Sequence, residues 1–369
     1  MNIMISRVYS NLWNKKKVRR VKKKNVVHIN YELALDLDTL DGIRWLVPGN
    51  AGSGKTWLMG IVLDQFPNSQ MIDPTGKFIN TLEKQGTYLR WQVFQLAKKR
   101  TSKPLLKMNT NDLHIRCLNT IFPKTNSTPK QQMQSQIFEE FLQRKEKTYA
   151  ELKELCKQHQ LMHILNDLDY ILHPHDNAPS IRELIYGKKV IDVEGISINQ
   201  RCVGVYLQSI LGFKSDMGEN WSQKPENFTM LGFDEAQAYC RYNTPLGNTN
   251  ADIIGQARKY GLGSLTGGAG YNTIHIDIRT KWNKIFVFNS PGLTKHYTRE
   301  GINIISDDWE RMGKYECAIY SDDGNFKGFE GEHLFLPDLT FLDVRHGKKV
   351  EKVSSDKTNY NFSKFKRFT

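Results

Sequence analysis

Cysteine is scarce and scattered in this chain of 369 residues: Cys117, Cys156, Cys202, Cys240 and Cys317 form no C-x-x-C pair and have no histidines at ligand spacing. That excludes a disulfide framework and a zinc site, and leaves five reduced, packed thiols. His173 and His175 flank a proline, and with nothing nearby to complete a metal set they read as a solvated loop. Long apolar runs are missing too. None approaches the roughly eighteen residues of a membrane-spanning helix, and Met1 to Trp13 is too polar for the core of a signal peptide, so the expected location is cytoplasmic. There is no internal repeat and no Gly/Ser or Pro linker long enough to separate independent domains. Acid is short relative to base, 39 Asp and Glu against 52 Lys and Arg, for a net charge of +13. Such a balance favours polyanionic partners and says nothing of fold.

Much of the positive charge is local. Lys15, Lys16, Lys17, Arg19, Arg20, Lys22, Lys23 and Lys24 crowd a short stretch before the first expected strand. A block of this kind reads as a solvated arm that could serve nucleic acid, anionic lipid or a protein partner equally. Residues 1–40 are therefore taken as arm and lead-in, with Val26 to Leu40 either adding an edge strand or packing on the core. Residues 41–345 form the core and 346–369 a polar, Lys-rich tail. Within the core, about 98–187 reads as a mostly helical insertion. Ile137, Phe141, Tyr149, Leu152, Leu155, Leu161 and Ile164 recur there at helical steps among Gln, Glu and Lys.

One stretch carries explicit chemistry. Gly49, Asn50, Ala51, Gly52, Ser53, Gly54, Lys55 and Thr56 satisfy G-x-x-x-x-G-K-[ST] at every position. A short apolar strand, Ile43 to Val47, precedes the motif and helical spacing from Thr56 to Asp64 follows it, which is the context the motif requires. Glycines let successive N–H groups turn inward on an anion, and the start of the next helix adds partial positive charge. Lys55 would reach the β- and γ-phosphates of a nucleotide and Thr56 would hold Mg²⁺. The bland alternative is a glycine-rich turn that binds nothing.

A second apolar run, Phe228 to Phe233, ends in Asp234 and Glu235. Neighbouring residues on a strand point opposite ways, so the two acids are expected to do different work. Asp234 suits the Mg²⁺ shell, and Glu235 suits polarising an attacking water. Further strands are expected at Ser69 to Asp73, Lys189 to Gly195, up to Thr266, and Lys284 to Asn289. Pro74 to Phe78 reads as a turn, Asn199 to Leu211 and Ala251 to Tyr260 as helices, and Tyr315 to Tyr320 with Phe326 to Phe329 as a closing hairpin.

In this order the motifs resemble the FtsK/HerA superfamily of hexameric DNA-pumping ATPases, within the additional-strand class of phosphate-loop proteins. The resemblance rests on the loop from Gly49 to Thr56, the Asp73-Pro74-Thr75-Gly76 turn, the segment from Val190 through Asp192 to Gly195, and Phe233-Asp234-Glu235-Ala236. It rests also on Arg258-Lys259-Tyr260-Gly261 and on Asn283 with the strand after it. It implies an α/β, RecA-like fold with a mainly parallel sheet, ATP and Mg²⁺ as cofactors, DNA gripped through its phosphates, and a hexameric ring. It further implies that Arg258 acts on the γ-phosphate bound by a neighbouring copy. The family places Thr-Gln after the R-K-Y-G strand, with the glutamine sensing the γ-phosphate. This chain has Thr266-Gly267 there, leaving Thr266 and Asn272 as candidates. With only about forty residues ahead of the motor, it is similar to the stripped-down branch that holds viral genome-packaging ATPases and plasmid-transfer motors. A phage-assembly ATPase of the zonular-occludens-toxin type is a neighbouring alternative, and so is a nucleotide-dependent assembly protein with slow hydrolysis. A docking partner on a virion or membrane would then meet the basic arm.

The charge run generates its own test. Deleting residues 1–25 should leave basal ATPase activity intact and flatten the salt dependence of DNA binding, by roughly 0.9 in the log–log slope for each phosphate that the arm had neutralised. An unchanged slope, measured by titration across salt concentrations, would assign the arm to a protein or lipid partner.

Overall fold

Apolar runs of about five residues become buried strands when helices cover both faces of a parallel sheet, and this chain follows that rule. The computed structural model describes residues 26–28, 34–36, 43–96, 103–123, 128–174, 178–194, 200–238, 240, 244–256, 259–269, 282–288, 316–322 and 329–335. Two short strands, β1 (Val26–His28) and β2 (Ala34–Asp36), pair antiparallel with each other and stand apart from the main sheet. Among the described residues the lead-in adds no edge strand to it.

The main sheet contains β3 (Arg44–Pro48), β4 (Ser69–Asp73), β5 (Trp91–Gln95), β6 (Lys188–Asp192), β7 (Thr229–Phe233), β8 (Leu262–Gly268), β9 (Lys284–Phe288), β10 (Glu316–Asp322) and β11 (Phe329–Phe335). Seven strands run parallel in the order β5-β6-β4-β7-β8-β3-β9, and β10 and β11 continue the sheet antiparallel beyond β9. Thr266 of β8 pairs with Leu46 of β3 on one side and Phe233 of β7 on the other. One strand is thus inserted between the strand that feeds the phosphate loop and the strand that ends in the two acids, as the resemblance implied.

Alternation divides the strand side chains between two layers. Trp45, Val47, Met71, Leu265 and Phe286 pack with helices α1 (Lys55–Asp64) and α2 (Lys77–Lys84). Leu46, Ile72, Ile191, Leu231 and Phe233 meet the opposite layer of helices. That layer holds α3 (Pro129–Gln143), α4 (Tyr149–Gln158), α5 (Met162–Leu168), α6 (Gln200–Met217) and α7 (Pro245–Gln256). Reciprocal capping boxes start three helices of the segment between β5 and β6: Thr128 with Gln131, Thr148 with Glu151, and Ser180 with Glu183. Each satisfies backbone N–H groups that a helix start leaves without partners. All five cysteines are buried and free.

Several boundaries differ from expectation. Helix α2 begins at Lys77, inside the stretch read as a turn, because Asp73 accepts from Thr75 N–H, Thr75 Oγ1 and Phe78 N–H and so nucleates it. The helix expected over 251–260 starts at Pro245 and ends at Gln256, with a turn at 259–260. The strands of the closing hairpin run to Asp322 and from Phe329, farther along the chain than their spacing predicted. Arg258, Asn272, His175, the arm and the tail lie outside the described residues.

Gly261, in the turn ahead of β8, shows how tightly the base of the sheet is set. Its φ is +57°, and a Cβ built on it would stand 1.8 Å from the carbonyl oxygen of Ser222. The buried ammonium of Lys214, on α6, donates to the carbonyls of Asn227 and Gly261 and lies 5.9 Å from the Trp221 ring centre. Burial lowers the Lys214 pKa to about 7. Gly218, by comparison, has φ +82° with nothing within 4 Å of a built Cβ. Replacing either glycine by alanine incurs the backbone cost of about 1–3 kcal/mol. Gly261→Ala should lose distinctly more stability in denaturant unfolding, because it adds a backbone collision. Equal losses in the two variants would mean that the close approach of Ser222 does not constrain the fold.

Candidate active site

The loop leaves β3 at Pro48, which pairs with Gly268 of β8, and Gly49 N–H continues the ladder to Gly268 O at 3.1 Å. It then turns back through Gly52 (φ +76°) and Gly54 (φ +102°), values a side chain would oppose. Helix α1 starts with no side-chain cap and no acid in its first turn. Its leading N–H groups and the positive end of its dipole are therefore not neutralised by the chain itself, as an anion cradle requires. Asn50, Ala51 and Gly52 are exposed at the tip, whereas Ser53 is buried and its hydroxyl has no hydrogen-bond partner.

Lys55 is 4 % exposed, and its ammonium donates to Gly49 O and Asn50 O, both at 2.8 Å. Two of three ammonium protons thus brace the lysine across the mouth of the loop, leaving one for a ligand. Burial lowers its pKa, and the nearby carboxylates of Glu235 and Asp234 oppose that shift. The expected metal pair is in contact: Thr56 Oγ1 donates to Asp234 Oδ2 at 2.8 Å. Asp234 is 2 % exposed, and its pKa is raised to about 6 by burial first, with Glu235 and Asp73 adding repulsion. A hydroxyl and a buried carboxylate side by side suit a hard divalent cation, whose charge would offset the burial penalty. The residues present fit Mg²⁺.

Asp234 and Glu235 are set apart by a different geometry from the one expected. Strand β7 stops at Phe233, so the acids sit in a turn, and Glu235 adopts φ +47°. Glu235 N–H donates to Asp234 Oδ1 at 2.9 Å, which ties the pair together. Gln237, given no role by sequence reasoning, donates through Nε2 to Glu235 Oε2 and accepts from Ala269 N–H at 3.0 Å. Its signal was only its place two residues after Glu235.

The acids on the other strand tips are engaged elsewhere. Asp73 is spent on the turn into α2. Asp192 pairs with Lys103 at 2.7 Å and accepts from Glu194 N–H at 2.9 Å. Thr266 does not fit a sensor: its hydroxyl meets Ser264 Oγ at 3.2 Å, and it lies on the face opposite Leu265, away from α1. Gly267 faces the loop instead, where a Cβ would stand 2.6 Å from Met59 Sδ and 3.4 Å from Asp234 Oδ1. On either side of Arg258 in the chain, Arg116 donates to Gln256 Oε1 at 2.9 Å and its guanidinium lies 5.7 Å from the Tyr260 ring centre. Lys55→Ala should remove the cation that spans the loop and abolish measurable nucleotide binding and turnover. Near-parental turnover in that variant would place the active site elsewhere.

Known proteins share this fold. Residues 25–200 match the family model described as "Helicase HerA, central domain". No curated protein matches the chain in sequence. Among solved structures, VirB4 of Thermoanaerobacter pseudethanolicus superposes with a TM-score of 0.58 at 12% identity, over 86% of this chain and 97% of that one. The plasmid coupling protein TrwB, in complex with ADP and Mg²⁺, gives 0.54 at 12% identity, over 81% and 87%. TrwB with the non-hydrolysable ATP analogue ADPNP gives 0.54 at 12%, over 81% and 86%. At such identities the shared property is the fold. The HerA-type segment, residues 25–200, carries the loop, and the strands beyond it supply the acids on which the loop closes, so the chain is a P-loop ATPase similar over that segment to the FtsK/HerA type.

Proposed function

We propose that this chain binds ATP with Mg²⁺, hydrolyses it by in-line attack of water, and uses the cycle to move DNA through a hexameric ring of its own copies. The observation that carries the hydrolytic part is the contact between Thr56 and Asp234 beside the braced ammonium of Lys55. When bound, Mg²⁺ would neutralise charge on the β- and γ-phosphates. The loop N–H groups beyond Gly49, whose own N–H is held by Gly268, receive the phosphates together with the start of the helix, and Lys55 presents its remaining proton to them. Glu235 orients the attacking water and accepts its proton. Catalysis in such a site is mostly positioning and charge neutralisation, so the rigidity of the loop matters more than any covalent step.

The DNA part is supported by the net charge of +13 and the basic run from Lys15 to Lys24. A plasmid coupling protein among the chains of the same fold favours transfer or packaging of DNA over other work. Among the described residues no helix is long and apolar enough to cross a membrane. Phosphate-mediated grip predicts sequence-tolerant, strongly salt-dependent binding. One observation favours the second reading, an assembly protein that binds nucleotide and turns it over slowly: Gly267 stands where the family places a sensing glutamine.

A ring is tested through Arg258, proposed to act on the nucleotide of the neighbouring copy, a contribution of about 10³–10⁵ in rate for such arginines. Arg258→Ala keeps its own loop but has no arginine to offer, while Glu235→Gln keeps the arginine but not the base. Mixed rings contain interfaces with both parts intact, so activity should partly return although each parent is inactive. No recovery at any ratio, with mixed assembly confirmed by mass, would remove the role of Arg258 between copies and favour the second reading.

A further inference from the structure

One peptide group at the tip of β8 touches both halves of the site. Its carbonyl, from Gly268, accepts from the N–H of Gly49, the first glycine of the phosphate loop, at 3.1 Å. Its N–H, from Ala269, donates to Gln237 Oε1 at 3.0 Å. The other end of the Gln237 amide donates to Glu235 Oε2. Among the described residues no other side chain hydrogen-bonds the Glu235 carboxylate.

The chemistry at position 237 is specific. An amide offers a donor and an acceptor at one tip, and both are used here. A carboxylate at 237 would keep the acceptor for Ala269 and lose the donor for Glu235. A thioether of similar length would keep neither. Glu235 also sits in the left-handed region, which a non-glycine residue occupies only when its surroundings hold it there. A peptide group is planar, so its carbonyl and N–H cannot turn independently. Movement of Gly49 would tilt the Gly268–Ala269 plane and with it the anchor of the Gln237 amide.

We propose that Gln237 is a positioning residue for hydrolysis: it aims the Glu235 carboxylate at the attacking water and, through the Gly268–Ala269 peptide, ties that aim to the conformation of the phosphate loop. This deepens the hydrolytic reading above and rests on it. Phosphates drawing in the loop N–H groups would set the plane, and the plane would set the base. The site then needs no glutamine at 267, where a Cβ would stand 2.6 Å from Met59 Sδ and force it to shift. The amide arrives from the neighbouring strand's turn instead.

The test measures steady-state ATP turnover and nucleotide affinity for Gln237→Met, Gln237→Glu, Glu235→Gln and the double variant Glu235→Gln with Gln237→Met. Removing an outer partner of a reacting group costs roughly 10–100-fold, so kcat of Gln237→Met should fall by that factor while nucleotide affinity and KM hold. Gln237→Glu should fall at least as far, because it sets two carboxylates against each other. On the Glu235→Gln background the methionine should change the residual rate by less than about twofold, since no carboxylate remains to be aimed. Parental kcat in Gln237→Met, or an undiminished penalty on the Glu235→Gln background, would overturn the proposal and leave Gln237 a structural brace. Loss of nucleotide affinity in step with kcat in both Gln237 variants would overturn it likewise. If Glu235→Gln itself turns over ATP at the parental rate, the hydrolytic reading fails, and that result is distinguishable from failure of Gln237 alone.

Discussion

A gap has to be closed before this site can exist. β8 lies between β3 and β7, and two strand spacings of about 4.8 Å each put the tips of the outer strands roughly 10 Å apart. The hydrogen bond from Thr56 to Asp234 spans that gap, and most features nearby follow from it. The loop must curl over the tip of β8, which takes two glycines at positive φ. The tip of β8 must stay low on that face, which explains Gly267, where a Cβ would strike Met59 and crowd Asp234. Burying Asp234 raises its pKa, so the carboxylate is poised for a cation. The lysine that would counter the charge of both acids is itself held by two loop carbonyls.

The rest of the molecule holds this arrangement from below and from one side. Helix α6 is buried along most of its length, and its Lys214 fastens the carbonyls ahead of β7 and β8, the two strands whose tips meet the loop. A buried ammonium with no carboxylate beside it among the described residues is costly, and the lowered pKa of Lys214 is the sign of that cost. Its gain is geometric, because a single ammonium ties the carbonyl of Asn227 to that of Gly261. The segment between β5 and β6 adds Arg116, which engages Gln256 and Tyr260. The chain on both sides of the proposed subunit-bridging arginine is therefore fastened by a residue distant in sequence.

Legibility in the sequence followed the range of the interaction involved. The phosphate loop was readable because every requirement is local: an apolar strand, glycines at fixed offsets, then Lys55, Thr56 and a helix. Six of the seven parallel strands were readable because burial on both faces makes each a short apolar run, as in Thr229–Phe233; the edge strand β5 (Trp91–Gln95), only partly buried, was not. Asp234 and Glu235 were expected to be set apart by strand alternation, and the structure sets them apart in another way. Strand alternation does not reach them, since β7 ends one residue earlier and Glu235 turns into the left-handed region. Asp73 and Asp192 also end strands, and nothing local announces that they are spent on a cap onto Phe78 N–H and an ion pair with Lys103. Gln237 was unreadable for the same reason. Its partners lie on a turn and on a strand tip more than thirty positions apart, joined only once the register of β8 between β3 and β7 is set.

The most direct measurement is a crystal or cryo-electron microscopy structure of the full chain with Mg²⁺ and a non-hydrolysable ATP analogue. The phosphates should lie in the loop from Gly49 to Thr56 with the ammonium of Lys55 on the β- and γ-oxygens. The metal should bind the hydroxyl of Thr56 beside Asp234, and Glu235 should face the γ-phosphate. Nucleotide bound away from this loop, or bound in it with the metal out of reach of both Thr56 and Asp234, would contradict the assignment of the site.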